Sequence, residues 1–311
     1  MPAPLVLRSI ARIVTVAAML VALVGTARVA GAQQPTPPAK PVAVRVADST
    51  QVQVIKLRDG SSIVGRVTEV GADTIRFVAL MGTLSIARAH IVELREVAKS
   101  EVRRGEVWQT NPNATRLLFA PTGRMLEKGE GYFNDTYLLL LSAHGGVTSR
   151  FTLGGGMSVV PLDNFADNAL YIMPKIGVYA SPRFNLAIGG LAGVVGGLVD
   201  DDENAGFGVA YVVGTAGSPD ASVSFGSGVA YAGGEFARRP VAMLGAETRL
   251  GRRVAFVTEN YLIPNDDITS VISYGLRFFG EKLSADLAFW NAPGEIAVFP
   301  GIPYVSFSVK F

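Results

Sequence analysis

The chain has 311 residues, enough for one or two folded units at about 100–200 residues each. Hydrophobic residues make up 49% and charged residues 17%, which excludes a mainly disordered chain. The absence of Cys excludes disulfide scaffolds, Cys-ligated metals and Cys nucleophiles, and two His leave no His-rich metal site, so no cofactor or metal is expected.

Residues 1–32 read as a secretory signal peptide. Arg8 and Arg12 supply a positive start, Ile13 to Val24 is an uncharged apolar run, and Ala30-Gly31-Ala32 supplies small residues for cleavage before Gln33. The run is short of the roughly 20 apolar residues that span a bilayer as a helix. The formal charge of +2 comes from this segment. Removing it takes Arg8, Arg12 and Arg28 and no acid, leaving 25 basic against 26 acidic residues and a net charge of −1. The apparent basicity is therefore no argument for a nucleic-acid partner. Residues 33–45 (QQPTPPAKPVAVR) carry four prolines and read as an extended linker.

Residues 46–97 read as a small β module of five short strands. Val52, Val54 and Leu57 lead into the Arg58-Asp59-Gly60 turn. Ile63, Val64 and Val67 follow, with Gly65 as a bend or bulge. Gly71-Ala72-Asp73 turns into Thr74–Leu80, Met81-Gly82-Thr83 turns into Leu84-Ser85-Ile86, and Ala89–Leu94 closes the set. The run VIKLRDGSSIVGRVTEVGADTIRF with GTLSIARAHIVEL resembles Sm-like and SH3-like small barrels over about 50 residues. The resemblance implies a curled five-stranded barrel. Cytoplasmic relatives bind RNA, but an exported module meets none, so a docking or spacer role toward a periplasmic protein is expected. His90 reads as a half-exposed histidine. Residues 98–113 form a connector.

Residues 114–311 read as a transmembrane antiparallel β-barrel of about 12 strands. In the last strand Val305, Phe307, Val309 and Phe311 alternate with Ser306, Ser308 and Lys310. Residues 151–159, 222–231, 272–278 and 283–289 repeat this period of two, with large apolar groups on one face and Gly, Ser or charge on the other. A soluble sandwich has the same period. Aromatics near strand ends, the polar opposite face and a terminal Phe311 favour a membrane barrel, with Phe311 as an assembly signal read by the barrel-assembly machinery and outer-membrane lipid around the wall. LAIGGLAGVVGGLV (186–199) is too Gly-dense and short for a membrane helix and reads as strand.

Tight turns at 148–150, 181–183, 218–220, 251–253 and 280–282 alternate with longer loops at 161–168, 200–205, 233–239, 264–267 and 291–303. Short turns would face the periplasm and long loops the outside. Eleven strands follow from Gly131, and parity requires one more, for which Thr115–Ala120 (TRLLFA) is the candidate. The segment NPNATRLLFAPTGRMLEKGEGYFNDTYLLL with GVTSRFTLGGGM resembles uncharacterised bacterial outer-membrane proteins, which implies location and class but no activity.

The alternation turns Lys175, Glu247, Arg249, Glu259, Arg277, Asp286 and Lys310 toward the lumen, where they would either line a polar conduit or stitch a closed interior with ion pairs. Asp200-Asp201-Asp202-Glu203 lacks the alternating spacing of a calcium loop and reads as a solvated acidic loop. His144 has no particular Ser paired with it by the sequence. The leading expectation is a non-enzymatic outer-membrane barrel, a narrow channel or passive transport barrel for small solutes. The alternatives are a structural barrel that anchors a partner-binding module, and a lipid-modifying enzyme using His144.

Overall fold

The structure, a computed structural model, describes residues 44–311 apart from 47, 49–50, 104, 109–110, 163–164, 200–202, 265–267, 281 and 295–298. The signal peptide, most of the linker and Asp200–Asp202 of the acidic loop lie outside the described residues. Contacts divide the chain into Ala27–Thr110 and Asn111–Phe311.

The first unit holds a five-stranded antiparallel sheet: β1 (Gln51–Leu57), β2 (Ser62–Val70), β3 (Thr74–Ala79), β4 (Gly82–Ala87) and β5 (Ile91–Ala98), in the order β4-β3-β2-β1-β5. Its core is Ile55, Val67, Ile75, Phe77, Ile86 and Ile91, the branched and aromatic residues that suit a pleated, half-buried surface. The turn after β1 places Gly60 at φ 84, and Asp59 accepts the Ser61 backbone N–H at 2.8 Å. Gly65 is not the bulge. The register slips between Val67 and Glu69, while a Cβ at Gly65 would strike the Val78 carbonyl, so Gly65 serves a close backbone approach. Gln53 is fully buried yet satisfied: it donates to the Arg45 carbonyl and accepts from the Val67 N–H. His90 sits exposed in a single 3₁₀ turn before β5. A small hairpin, β6 (Val102–Arg103) with β7 (Glu106–Val107), follows.

The second unit is a closed antiparallel barrel of 12 wall strands. They are β8 (Gly131–Thr136), β9 (Leu140–Thr148), β10 (Phe151–Ser158), β11 (Leu170–Ala180), β12 (Phe184–Val199), β13 (Glu203–Ser218), β14 (Ala221–Ala232), β16 (Val241–Gly251), β17 (Val254–Pro264), β18 (Ile268–Phe279), β19 (Leu283–Asn291) and β20 (Ile302–Lys310). A short ribbon, β15 (Glu235–Phe236), folds back on β14. Pairing of β20 with β8 closes the wall and leaves no free edge. At the seam Gly131 and Phe311 exchange both backbone hydrogen bonds, at 2.9 and 3.1 Å.

The strand number matches the expectation, but one member differs. Thr115–Ala120 is not a wall strand; its only ladder contact is an isolated bridge from Arg116 to Pro121 within its own segment. The twelfth strand comes from splitting the region after Gly131 into β8 and β9 at Tyr137–Leu139. There Leu139 N–H bonds to the Thr136 carbonyl across Tyr137 and Leu138, both at φ 60. All connections at one end of the barrel have two or three residues, as expected. At the other end 159–169, 233–240 and 292–301 are long. The connections at 200–202 and 265–267 are short because the strands run further than the sequence suggests.

The wall strands alternate inward and outward along most of their length, with register shifts between Phe151 and Thr152, Gly177 and Tyr179, Val195 and Val199, and Arg249 and Gly251. Phe133, Ile172, Phe225, Leu244, Ile272 and Phe307 are exposed on the outer face. Ser224, Glu259, Ser273, Arg277, Tyr304 and Ser306 are fully buried on the inner face.

Candidate functional site

Residues 111–126 thread into the barrel before β8 begins. Asn111 lies against Glu247 and Arg124 against the Gly217 carbonyl, both toward the short-turn end. Between them the chain rises and folds back as a tight loop: Leu117 N–H bonds to the Ala120 carbonyl at 2.8 Å, and Thr122 N–H to the Thr115 carbonyl at 2.9 Å. This is an internal plug. Leu117 and Leu118 pack in a dry cluster with Val257, Ala288 and Tyr304. The Phe119 ring meets Tyr304 edge-on at 4.9 Å and Trp290 at 5.5 Å.

A buried loop must satisfy its backbone polar groups. The expected lumen charges supply most of that satisfaction. Glu259 accepts three successive backbone N–H groups, from Leu118 at 2.8 Å, Phe119 at 3.0 Å and Ala120 at 2.9 Å, with the Tyr261 hydroxyl donating to its other oxygen. Arg277 makes a two-pronged pair with Asp286 and a further bond to Glu247 at 3.0 Å. Its remaining donors reach the carbonyls of Asn113, Arg116 and Leu117. Arg116 of the plug reaches Asp286 at 3.2 Å and Ser306 at 2.8 Å. Lys175 donates to the carbonyls of Thr115, Thr122 and Arg124, the last at 2.7 Å.

Of the seven sequence-derived lumen residues, Lys175, Glu247, Glu259, Arg277 and Asp286 are therefore brought together around the plug. Two are not. Arg249 pairs with Asp220 at 2.8 Å at the short-turn end, its guanidinium 4.8 Å from the Phe279 ring centroid. Lys310 pairs with Glu130 at 2.8 Å beside the seam. Phe311 points outward, with its backbone in the seam. The sequence reading missed the plug residues Asn111, Asn113 and Arg116. The signal available was the polar and proline punctuation of NPNATR and APTG around a short apolar run, which suits an inserted loop better than a spanning strand.

The plug fills one side of the interior. On the other side lies a cavity of about 550 Å³ bounded by the plug, by β9–β14 and by residues of β8, β16 and β17. Its deeper wall carries Lys175, His144, Thr152 and Arg116; toward the long-connection end stand Leu140, Tyr171, Leu191, Phe207, Val209 and Val241. Two glycines shape this wall. Gly189 faces the Tyr211 ring and Gly154 the His144 ring, each directly across the ladder, so a Cβ at either would collide with the ring. The His144 ring stacks on Tyr132 at 4.5 Å inside the barrel. Among the described residues, no group of three His, Asp or Glu side chains could hold a metal ion.

No protein-family model and no curated protein matches the chain. Solved outer-membrane barrels do match. A KdgM porin aligns over 58% of this chain and 95% of its own at TM-score 0.40 and 8% identity. A NanC porin aligns over 58% and 97% at TM-score 0.36 and 8% identity. The outer membrane phospholipase A from Escherichia coli aligns over 59% and 91% at TM-score 0.34 and 10% identity.

Proposed function

We propose that the chain is an outer-membrane barrel for passive passage of small solutes, held shut by the inserted segment 111–126. An outer face of exposed Phe, Ile and Leu around a closed strand wall suits hydrocarbon, where every backbone group must be paired internally. The observation that carries the reading is the divided interior: a plug fixed by buried charges, with an open volume of about 550 Å³ beside it. The first unit, with its five-stranded meander, fits a periplasmic Sm/SH3-like docking module. The lipid-enzyme alternative draws no support from His144, whose ring stacks inside the barrel, away from the lipid-facing surface.

Planar-bilayer recording tests the closed conduit. Wild-type protein gives rare, small openings. Deleting 112–123 while keeping Arg124 onward gives steady openings with several-fold higher conductance. A deleted form that still shows heat-modifiable migration, and hence a folded barrel, yet stays silent, would establish a structural barrel and remove the conduit.

A further inference from the structure

We propose that the cavity beside the plug binds a single-chain amphiphile with an anionic head: head against Lys175 and Thr152, apolar chain toward the long-connection end. The inference rests on the reading of this interior as accessible to solutes.

Three observations converge. The first is a charge imbalance. Around the plug, Arg116, Arg124, Lys175 and Arg277 face, among the described residues, the carboxylates of Glu247, Glu259 and Asp286. Arg116 and Arg277 pair with carboxylates, whereas Lys175, almost fully buried, meets only backbone carbonyls among the described residues. A buried ammonium held only by neutral dipoles retains a strong attraction for an anion. The second is an unsatisfied group. The Thr152 hydroxyl is buried and has no hydrogen-bond partner; Thr152 is a residue of the cavity wall, directly across the β10–β11 ladder from Lys175. Buried polar groups left open in this way are the exception and call for a partner. The third is the gradient of the wall. From Lys175 and Thr152 the lining passes to Met173, Leu140, Leu191, Phe207 and Val209, with no further charge.

A short polar solute would satisfy the head position and leave the apolar wall wet. A purely apolar one would leave Lys175 and Thr152 unanswered. An acyl chain with a terminal anion satisfies both, and the cavity volume falls within the roughly 300–1,000 Å³ typical of small-molecule sites. The same head-and-tail chemistry occurs in a free fatty acid and in an acyl tail of a membrane lipid. A volume of about 550 Å³ enclosed by inward-facing residues suits a free single chain rather than a diacyl lipid.

The test uses the full chain in neutral-detergent micelles and native mass spectrometry with dodecanoate, dodecanol, dodecyltrimethylammonium and phosphatidylglycerol. Dodecanoate binds at one saturable site. Dodecanol binds about tenfold more weakly, the difference a charged hydrogen-bond partner makes, and the cation and diacyl lipid do not compete. Lys175→Met lowers dodecanoate affinity about tenfold. Val209→Trp, which fills the cavity without touching the plug's polar contacts, abolishes it. Equal binding of the anionic and cationic chains, undiminished binding to a folded Val209→Trp protein, or no dodecanoate binding at all would each overturn the proposal. The recordings above remain a separate readout. A barrel that opens on plug deletion but binds no dodecanoate refutes the ligand alone. One that binds dodecanoate but never opens refutes the conduit alone.

Discussion

The two sides of the barrel interior follow one pattern and have opposite contents. On β16–β20 and β8 the inward positions carry Glu247, Glu259, Arg277, Asp286, Ser306, Ser308 and Asn134, all buried and all hydrogen-bonded. On β9–β14 the inward positions are mostly glycine, serine, threonine, apolar or aromatic, and Lys175 is the lone described wall residue of full charge there. The difference lies in what each wall faces. Charged residues stand where an irregular segment must have its N–H and C=O groups satisfied away from water. Small and apolar residues predominate where open volume remains, while Lys175, Thr215 and Ser222 on that side also meet polar groups of the plug and Asn134 of the other side also borders the cavity. Polarity inside this barrel therefore reports the packing of an inserted loop, and lumen charge alone does not imply a polar conduit.

Removing a charge from each side is the strongest way to break that comparison. Arg277→Met leaves Asp286 and Glu247 buried beside each other and strips three plug carbonyls of a donor. Breaking a buried pair from one side costs about 3–5 kcal/mol. Loss of heat-modifiable migration, or a large fall in urea midpoint, is the expected result. Lys175→Met removes no ion-pair partner and costs clearly less. Equal destabilisation by the two substitutions would abolish the distinction between the walls.

Glu259→Gln sharpens the comparison at the plug itself. The amide keeps the shape but loses the charge that three N–H groups share, at about 1.5–3 kcal/mol for a charge-assisted bond. Hydrogen exchange at Leu118, Phe119 and Ala120 should accelerate while the amides of β17 and β18 stay protected. Unchanged protection at the loop tip would mean that the apolar cluster around Leu117 and Leu118 holds the plug without Glu259.

On the cavity side, Gly189→Val pushes a branched side chain into the Tyr211 ring and should cost about 1–3 kcal/mol through overpacking. Pairing it with Tyr211→Ala should recover part of that loss. A double variant as unstable as the sum of its parts would show that the ring is not the obstacle.

Much of this barrel is visible in the residue pattern, because the inner and outer faces differ along most of the strands between Phe151 and Phe311. The five module strands are visible for a related reason: Asp59-Gly60, Gly71 and Gly82 punctuate runs of branched residues. Two features were hidden by tertiary contacts. The β8–β9 turn puts Tyr137 and Leu138 in the left-handed region, which local rules reserve for Gly and Asn. Tyr137 is held there by its hydroxyl bond to the Pro303 carbonyl, its N–H bond to Val305 and its edge contact with Tyr304. Its sequence, YLLLL, reads instead as unbroken strand. The plug was hidden by the same shortage of local signal: TRLLFA alternates too little to distinguish a strand from an apolar loop, and the N–H groups of its tip are satisfied by Glu259, 139 to 141 residues away. The site residues were found by facing direction, yet their role depends on a partner that facing direction does not name.

The smallest effect belongs to a charge at the closing seam, away from the plug. Lys310 on β20 bonds Glu130, one residue before β8, and so fastens the first and last strands across the closing seam. The Lys310 ammonium holds the Glu130 carboxyl below the usual carboxylate range. A carboxyl depressed in the folded state stabilises above its unfolded pKa, near 4.3, and that contribution is lost as pH falls through the folded value. Both side chains are more than a quarter exposed, so solvent screens the pair to about 0.2–1 kcal/mol. Lys310→Met should therefore lower the unfolding midpoint slightly at pH 7, and by less at acid pH as the Glu130 carboxylate takes up its proton. The backbone exchange between Gly131 and Phe311 persists in both proteins. A drop of equal size at pH 7 and at acid pH would assign the role of Lys310 to the packing of its stem rather than to its charge, and the seam would then rest on backbone pairing alone.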